Sequence, residues 1–131
     1  MIGSIALFFL SAAAATATPC ENLTNLKFAD ATITSAAVIP EGPPQTRGGG
    51  FGMRGGGPPA NIPEHCRVQV VLKPTPDSLI NMELWLPTQN WNGKLMGVGN
   101  GGFAGSIQGL FMDMPPAIRL GYATAGTDTG H

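Results

Sequence analysis

The segment from Met96 to Ser106, MGVGNGGFAGS, contains five glycines in eleven residues. Glycine is used where the backbone needs a positive φ or where another group must approach the backbone closely. Three kinds of group could come this close here: a phosphate, an oxyanion, or a neighbouring strand.

The phosphate interpretation fits the segment poorly. Gly97, Gly99 and Gly102 have the G-x-G-x-x-G spacing of dinucleotide sites. Such a site needs a helix directly after the glycines and an acidic residue about 20 positions further on. Residues 103–109, FAGSIQG, are a poor start for a helix, and no Lys-Ser or Lys-Thr pair completes a P-loop. The sequence therefore argues against a nucleotide site.

The oxyanion interpretation fits better. In α/β-hydrolases a glycine-rich loop after a strand supplies one backbone N–H to the oxyanion hole. The substrate must come within about 3 Å of this donor, and a side chain would obstruct it. Residues 100–103, NGGF, meet this requirement because they follow a short predicted strand at 94–98. From spacing alone, a glycine-rich bend that only packs against the fold is an equal interpretation.

The beginning of the chain predicts export. An apolar run from Ile2 to Leu10 is followed by small residues, and residues 15–17 fit the A-x-A pattern of a signal-peptidase site. The run is too short to cross a bilayer, which takes about 20 residues. We predict that residues 1–17 are a signal peptide and that the protein is secreted. An even number of cysteines, Cys20 and Cys66, then favours a disulfide over free thiols.

Composition excludes several classes of partner. The chain has 7 basic and 8 acidic side chains and a net charge of −1. This balance gives no basis for nucleic-acid binding, nor for membrane binding once the signal is removed. Two RGGG units lie in a Gly/Pro-rich stretch, residues 40–65, which we interpret as a flexible insertion; two arginines are weak evidence for RNA binding. Only 11% of residues are charged, against about 25% in a typical domain, which suggests a surface that something else covers.

The remaining pattern predicts an incomplete α/β domain. We expect a helix after Pro115-Pro116 that stops at Gly121, and we expect His65 to be a solvated loop residue. A helical crossover implies a parallel sheet buried on both faces. Too few residues remain outside the signal and the insertion for a helix-covered domain, so we interpret residues 18–131 as the front part of a larger protein. Strands are predicted at "ATITSAAVI", "CRVQVVLKPT", "SLINMELWLP", 94–98 and 122–125.

Four ordered motifs resemble the start of the tannase and feruloyl esterase family. They are CRV at Cys66, the PTPDS…ELWLP region from Pro74, NWNGKLMGVGNGGFAG from Asn90, and GYATAGTDTGH at the end. The resemblance implies the N-terminal part of an α/β-hydrolase fold with an incomplete sheet. It also implies a secreted serine esterase that cleaves esters of aromatic acids such as gallate or ferulate. Calcium would be held in a lid domain outside this chain.

Several residues acquire roles from this resemblance. By position, Gly101 and Gly102 are the candidate oxyanion-hole donors, and Cys20 and Cys66 match the family's N-terminal disulfide. Asn100, Asp128 and His131 are expected to shape the cleft; Asp128 would do so by accepting hydrogen bonds from nearby N–H groups.

No catalytic residue or metal ligand is assigned within this chain. Ser106, Asp128 and His131 have the residue types of a triad, but the family's catalytic Asp and His lie much later in the sequence. The family's G-C-S-x-G-G nucleophile elbow is also missing here. We therefore expect no esterase turnover from these 131 residues alone. The alternative is a truncated, secreted binding protein without catalysis.

Overall fold

The described residues form a five-stranded sheet with one α-helix on it. The computed structural model describes residues 18–44, 60–99, 101, 105–107 and 110–130. In chain order, the elements are a 3-10 turn (Cys20–Asn25), β1 (Ala31–Ile39), β2 (His65–Leu72), β3 (Ile80–Pro87), β4 (Leu95–Gly97), α1 (Leu110–Arg119) and β5 (Ala123–Thr127).

The strand order in the sheet is β1-β2-β3-β5-β4. All neighbouring strands run antiparallel except β4 and β5, which run parallel. The mixed, open sheet confirms the incomplete α/β fold, but the prediction of a parallel sheet is wrong for most of it. The physical reason is the connections: residues 73–79 join β2 to β3 without a helix, and a short connection of this kind permits only an antiparallel pair. Among the described elements, α1 alone crosses between two strands, and it yields the one parallel pair.

Helix α1 starts earlier than the sequence predicts. It runs from Leu110 to Arg119, so Pro115 and Pro116 lie inside it and not at its start. Prolines cost helix hydrogen bonds, yet this helix buries an apolar stripe against the sheet, and that tertiary packing overrides the local signal. The stripe consists of Leu110, Met114, Ala117 and Ile118.

The predicted helix stop at Gly121 is confirmed. Its φ is +79°, and its N–H donates to the Ile118 carbonyl over 3.0 Å. A Cβ at this position would also lie 2.6 Å from the Asn90 carbonyl oxygen. Both the backbone conformation and the available space therefore require glycine here.

The two faces of the sheet are covered differently. On one face α1 packs against Trp85 and Ile62, and Val98 and Ile107 join this core. The opposite face carries the 3-10 turn. The predicted disulfide between Cys20 and Cys66 is present, with 5.7 Å between the Cα atoms, and fastens this turn to β2.

Both ends of the predicted flexible insertion are tied to the fold. Gly42 and Ile62 form a two-way backbone bridge, with N–H···O distances of 3.1 and 2.7 Å. Arg119 at the end of α1 donates to the Asn61 carbonyl over 2.8 Å and also to the Ala60 carbonyl. The part that could be flexible is therefore shorter than 40–65. Residues 45–59 lie outside the described residues, so flexibility there stays a prediction.

Candidate functional site

The parallel pair β4–β5 places two loops at one edge of the sheet. The glycine loop, residues 98–107, follows β4, and a turn that we call the β5 turn, Asp128–Gly130, follows β5. Because parallel strands end at the same edge, both loops leave the sheet on the same side. In open α/β sheets, ligands bind in the crevice outside these carboxyl ends. This edge is therefore the candidate site.

The glycine loop exposes bare backbone. Gly101 has a φ of +67° and Gly105 a φ of +52°, a region that side-chain-bearing residues rarely adopt. A Cβ at Gly101 would meet no atom within 4 Å. The space beside this backbone is open, as a donor that contacts a substrate oxygen requires. Asn100 and Gly102, the other predicted residues of this loop, lie outside the described residues.

A hydrogen bond fixes the start of the glycine loop. The Val98 N–H donates to the Ala125 carbonyl over 2.8 Å, and this bond closes the last pair of β4 and β5, Gly97 with Ala125. Val98 also packs against the core under α1. The loop therefore begins from a rigid position, as a preorganised donor needs.

Asp128 holds the β5 turn to the start of β3. One carboxylate oxygen accepts from the Asn81 N–H at 2.9 Å and from the Gly130 N–H at 3.0 Å. The other accepts from the Asn81 side-chain amide at 2.6 Å. Burial of Asp128 raises the pKa of its carboxyl group, but the hydrogen bonds from Asn81 and Gly130 outweigh burial, and the pKa lies below its ordinary value. Asp128 does bond to nearby N–H groups, whereas its predicted role in shaping a cleft stays a prediction.

The β5 turn has a strained backbone. Thr129 is β-branched and has a φ of +60°. Its hydroxyl donates to the Asp128 carbonyl over 2.6 Å, and its N–H donates to the Thr127 hydroxyl over 3.2 Å. Strain of this kind costs about 1–3 kcal/mol and clusters at functional sites. His131, which directly follows the turn, lies outside the described residues.

A buried polar cluster that the sequence did not predict lies on the α1 side of the sheet. Glu83 is 1% exposed, and its carboxylate accepts from the Trp85 indole N–H at 3.0 Å and forms an ion pair with Arg67. His65 completes the cluster: its ring lies 4.6 Å from the Trp85 ring. The sequence did contain one indication of this cluster. Glu83 and Trp85 are two positions apart in a strand, so their side chains lie on the same face, and a buried tryptophan implies a buried glutamate.

The prediction of His65 as a solvated loop residue is wrong. It opens β2 and is 3% exposed, because the antiparallel register places it over Pro87 and against the Trp85 ring. Its Nδ1 lies 2.8 Å from the Pro63 carbonyl and donates to it. Burial lowers the pKa of His65; the Pro63 hydrogen bond and Glu83 oppose this effect, and Arg67 adds to it.

Within the part of the chain that the structure describes, no three His, Cys, Asp or Glu side chains come together as a metal site. The described helix is too short to span a membrane, and no candidate span was found in these residues.

The sequence model of the family described as tannase and feruloyl esterase matches residues 66–131, half of the chain. The chain belongs to the tannase and feruloyl esterase family. The matched range includes both the glycine loop and the β5 turn, so the candidate site lies within the family's own sequence pattern.

Individual members of the family agree with this assignment. An uncharacterized esterase of Xanthomonas campestris pv. campestris is 38% identical over 112 residues, which is 86% of this chain and 18% of that protein. Feruloyl esterase C of Talaromyces stipitatus is 41% identical over 66 residues, 50% of this chain and 12% of that protein. The crystal structure of feruloyl esterase B from Aspergillus oryzae aligns with a TM-score of 0.67 and 31% identity, over 86% of this chain and 22% of that one. The chain thus spans less than a quarter of the length of these family members.

Proposed function

We propose that this chain forms the N-terminal part of a secreted carboxylic ester hydrolase that cleaves aromatic-acid esters, with gallate and ferulate esters as the substrate class. The observation that carries the proposal is the open backbone at Gly101, at the carboxyl edge of a parallel strand pair, in a chain of the tannase and feruloyl esterase family. Family membership supports ester hydrolysis. The aromatic acid, the serine mechanism and secretion are our extension from the sequence resemblance.

In the proposed mechanism, the Gly101 N–H donates to the substrate carbonyl oxygen as this oxygen gains negative charge. Gly102 is the other candidate for the same role. Removing one such donor typically lowers kcat by about 10²–10³. A serine, a histidine and an aspartate outside this chain would carry out acyl transfer, and any calcium would be bound by a lid outside it as well.

Asp128 is suited to positioning and not to proton transfer in this proposal. Its oxygens already accept three hydrogen bonds, two from Asn81 and one from Gly130. Both oxygens of this carboxylate are therefore engaged by groups of β3 and of the β5 turn. We propose that it holds the β5 turn beside the glycine loop.

The test uses the protein encoded by the complete reading frame that contains this sequence. Gly101→Ala is compared with Gly93→Ala, since both glycines have a positive φ, +67° and +80°, and neither would clash with a neighbour. Both substitutions therefore carry a similar backbone penalty of about 1 kcal/mol. Only the first adds a methyl group to the glycine loop.

We expect the unaltered protein to hydrolyse methyl ferulate or methyl gallate. Gly101→Ala should lower kcat at least tenfold, and Gly93→Ala should not. Equal kcat values for the two variants would remove Gly101 from the mechanism. A reading frame that ends at His131, with no ester hydrolysis, would refute the hydrolase proposal in favour of a non-catalytic binding protein.

A further inference from the structure

The packing around Gly126 in β5 leaves too little room for a side chain. Gly126 is buried opposite Glu83 of β3, and its φ is not in the left-handed region. A Cβ at this position would lie 2.6 and 2.7 Å from the two Cδ atoms of Leu110 and 3.0 Å from the Val98 carbonyl oxygen. Ordinary carbon–carbon contacts are about 3.5–4.0 Å, so a methyl group here would be about 1 Å too close to Leu110.

The two residues that a Cβ at Gly126 would contact, Val98 and Leu110, lie on either side of the glycine loop in the sequence. Val98 is the first residue of the loop, and Leu110 begins the helix that follows it. Val98 cannot move freely, because its N–H is bonded to the Ala125 carbonyl. Leu110 is 0% exposed and packs in the core with Met114, so a different side-chain rotamer would have to displace neighbouring core atoms.

We propose that Gly126 is a positioning residue for the glycine loop. Its missing side chain lets Val98, the first residue of the loop, and Leu110, the first residue of the helix after it, lie against β5, and this sets where the Gly101 N–H stands relative to the sheet edge. The inference rests on the proposed function, since it concerns the placement of the proposed oxyanion donor. An added methyl group must displace Leu110, Val98, or both.

The expected effect on catalysis is large for a single methyl group. An oxyanion donor must lie about 2.7–3.1 Å from the position of the oxyanion. Misplacing catalytic groups by about 1 Å can lower the rate about 10²-fold. We expect Gly126→Ala to lower kcat about tenfold to a hundredfold and to leave KM nearly unchanged, because the donor acts mainly on the transition state.

The experiment measures kcat and KM for methyl ferulate with the full reading-frame protein. Gly121→Ala is the matched control: its Cβ would also meet an atom at 2.6 Å, the Asn90 carbonyl oxygen, but at the far end of α1. This control should lose stability without a comparable loss in kcat. The double variant Gly126→Ala/Leu110→Ala restores space at the Leu110 contact only, so it should recover folding and part of kcat.

A second readout does not depend on activity. In ¹⁵N NMR spectra of the full reading-frame protein, labelled at glycine and valine, Gly126→Ala should shift the Val98 and Gly101 amide signals, and Gly121→Ala should leave both in place. The double variant replaces Gly126→Ala in this comparison if the single variant does not fold. Unshifted Val98 and Gly101 signals would refute the proposal, and so would shifted signals in an active enzyme whose kcat does not change. If the unaltered protein hydrolyses no ester, the proposed function fails by itself, and the NMR comparison still decides whether Gly126 positions the loop.

Discussion

Replacing Glu83 by alanine should strongly destabilise the protein, although no functional argument points to this residue. Its carboxylate is 1% exposed and has two partners, the Trp85 indole N–H and the Arg67 guanidinium. The substitution removes the carboxylate that accepts the hydrogen bond of the buried indole N–H, and loss of such a bond costs about 1–3 kcal/mol. It also removes the ion pair between Glu83 and Arg67.

The magnitude follows from the exposure of these partners. Removing one member of a buried ion pair costs about 3–5 kcal/mol. The Arg67 side chain is 27% exposed, so water partly replaces the lost carboxylate and the ion-pair contribution falls below that range. Together with the indole, we expect a total loss of about 3–5 kcal/mol. At about 4 °C per kcal/mol for a chain of this length, Tm should fall by about 12–20 °C.

Urea denaturation followed by circular dichroism measures this loss. Glu83→Gln keeps a carbonyl oxygen for the indole N–H and loses only the charge, so its effect should be intermediate. Glu64→Ala is the surface control: this exposed glutamate accepts a hydrogen bond from Thr88, and its loss should change stability by about 0.5 kcal/mol. If Glu83→Ala costs no more than Glu64→Ala, the argument for the buried carboxylate is refuted.

Three further predictions concern stability. Burial holds the pKa of His65 below 6.5, so at falling pH the unfolded chain takes up a proton before the folded protein does. The free energy of unfolding should therefore decrease as pH drops from 6.5. In His65→Gln, the urea midpoint should depend less on pH over that range. Asp128→Asn should cost about 1.5–3 kcal/mol at pH 7. Because the pKa of Asp128 is lowered in the folded protein, the stability difference between Asp128→Asn and the unaltered protein should shrink as pH falls below 3.8. An unchanged stability difference in acid would contradict the role of the ionised carboxylate as a hydrogen-bond acceptor. Replacing both Cys20 and Cys66 by serine opens a loop with a sequence separation of 46 and should cost about 4 kcal/mol in thermal unfolding; a cost below 1 kcal/mol would show that the bond adds little.

Local signals in the sequence located most elements of the fold. The β-branched run at 31–39 is a strand as predicted. Gly121 ends α1 because glycine, without a side chain, readily adopts the positive φ found there. The cysteine count correctly favoured a disulfide between Cys20 and Cys66. Each of these signals depends on residue types and near neighbours, which the sequence contains in full.

The start of α1 and the direction of most strands were not predictable in the same way. Pro115 and Pro116 indicate a helix start locally, but burial of Leu110 and Met114 stabilises an earlier turn. Strand direction depends on which strands meet, and the sheet inserts β5 between β3 and β4. That order joins strands far apart in the sequence, so no local pattern encodes it.

For the candidate site, the sequence alone identified residues 98–107 as a glycine-rich segment after a short strand, because residue types are enough to show the glycines. Only the tertiary structure decided what surrounds this segment. The parallel pairing of β4 with β5 brings the glycine loop and the β5 turn to one edge of the sheet. The packing also places Gly126 against Val98 and Leu110. The contacts of Glu83 and His65 could not be predicted from the sequence either. Burial of a polar side chain depends on which strands pack around it, and that is decided only in the folded structure.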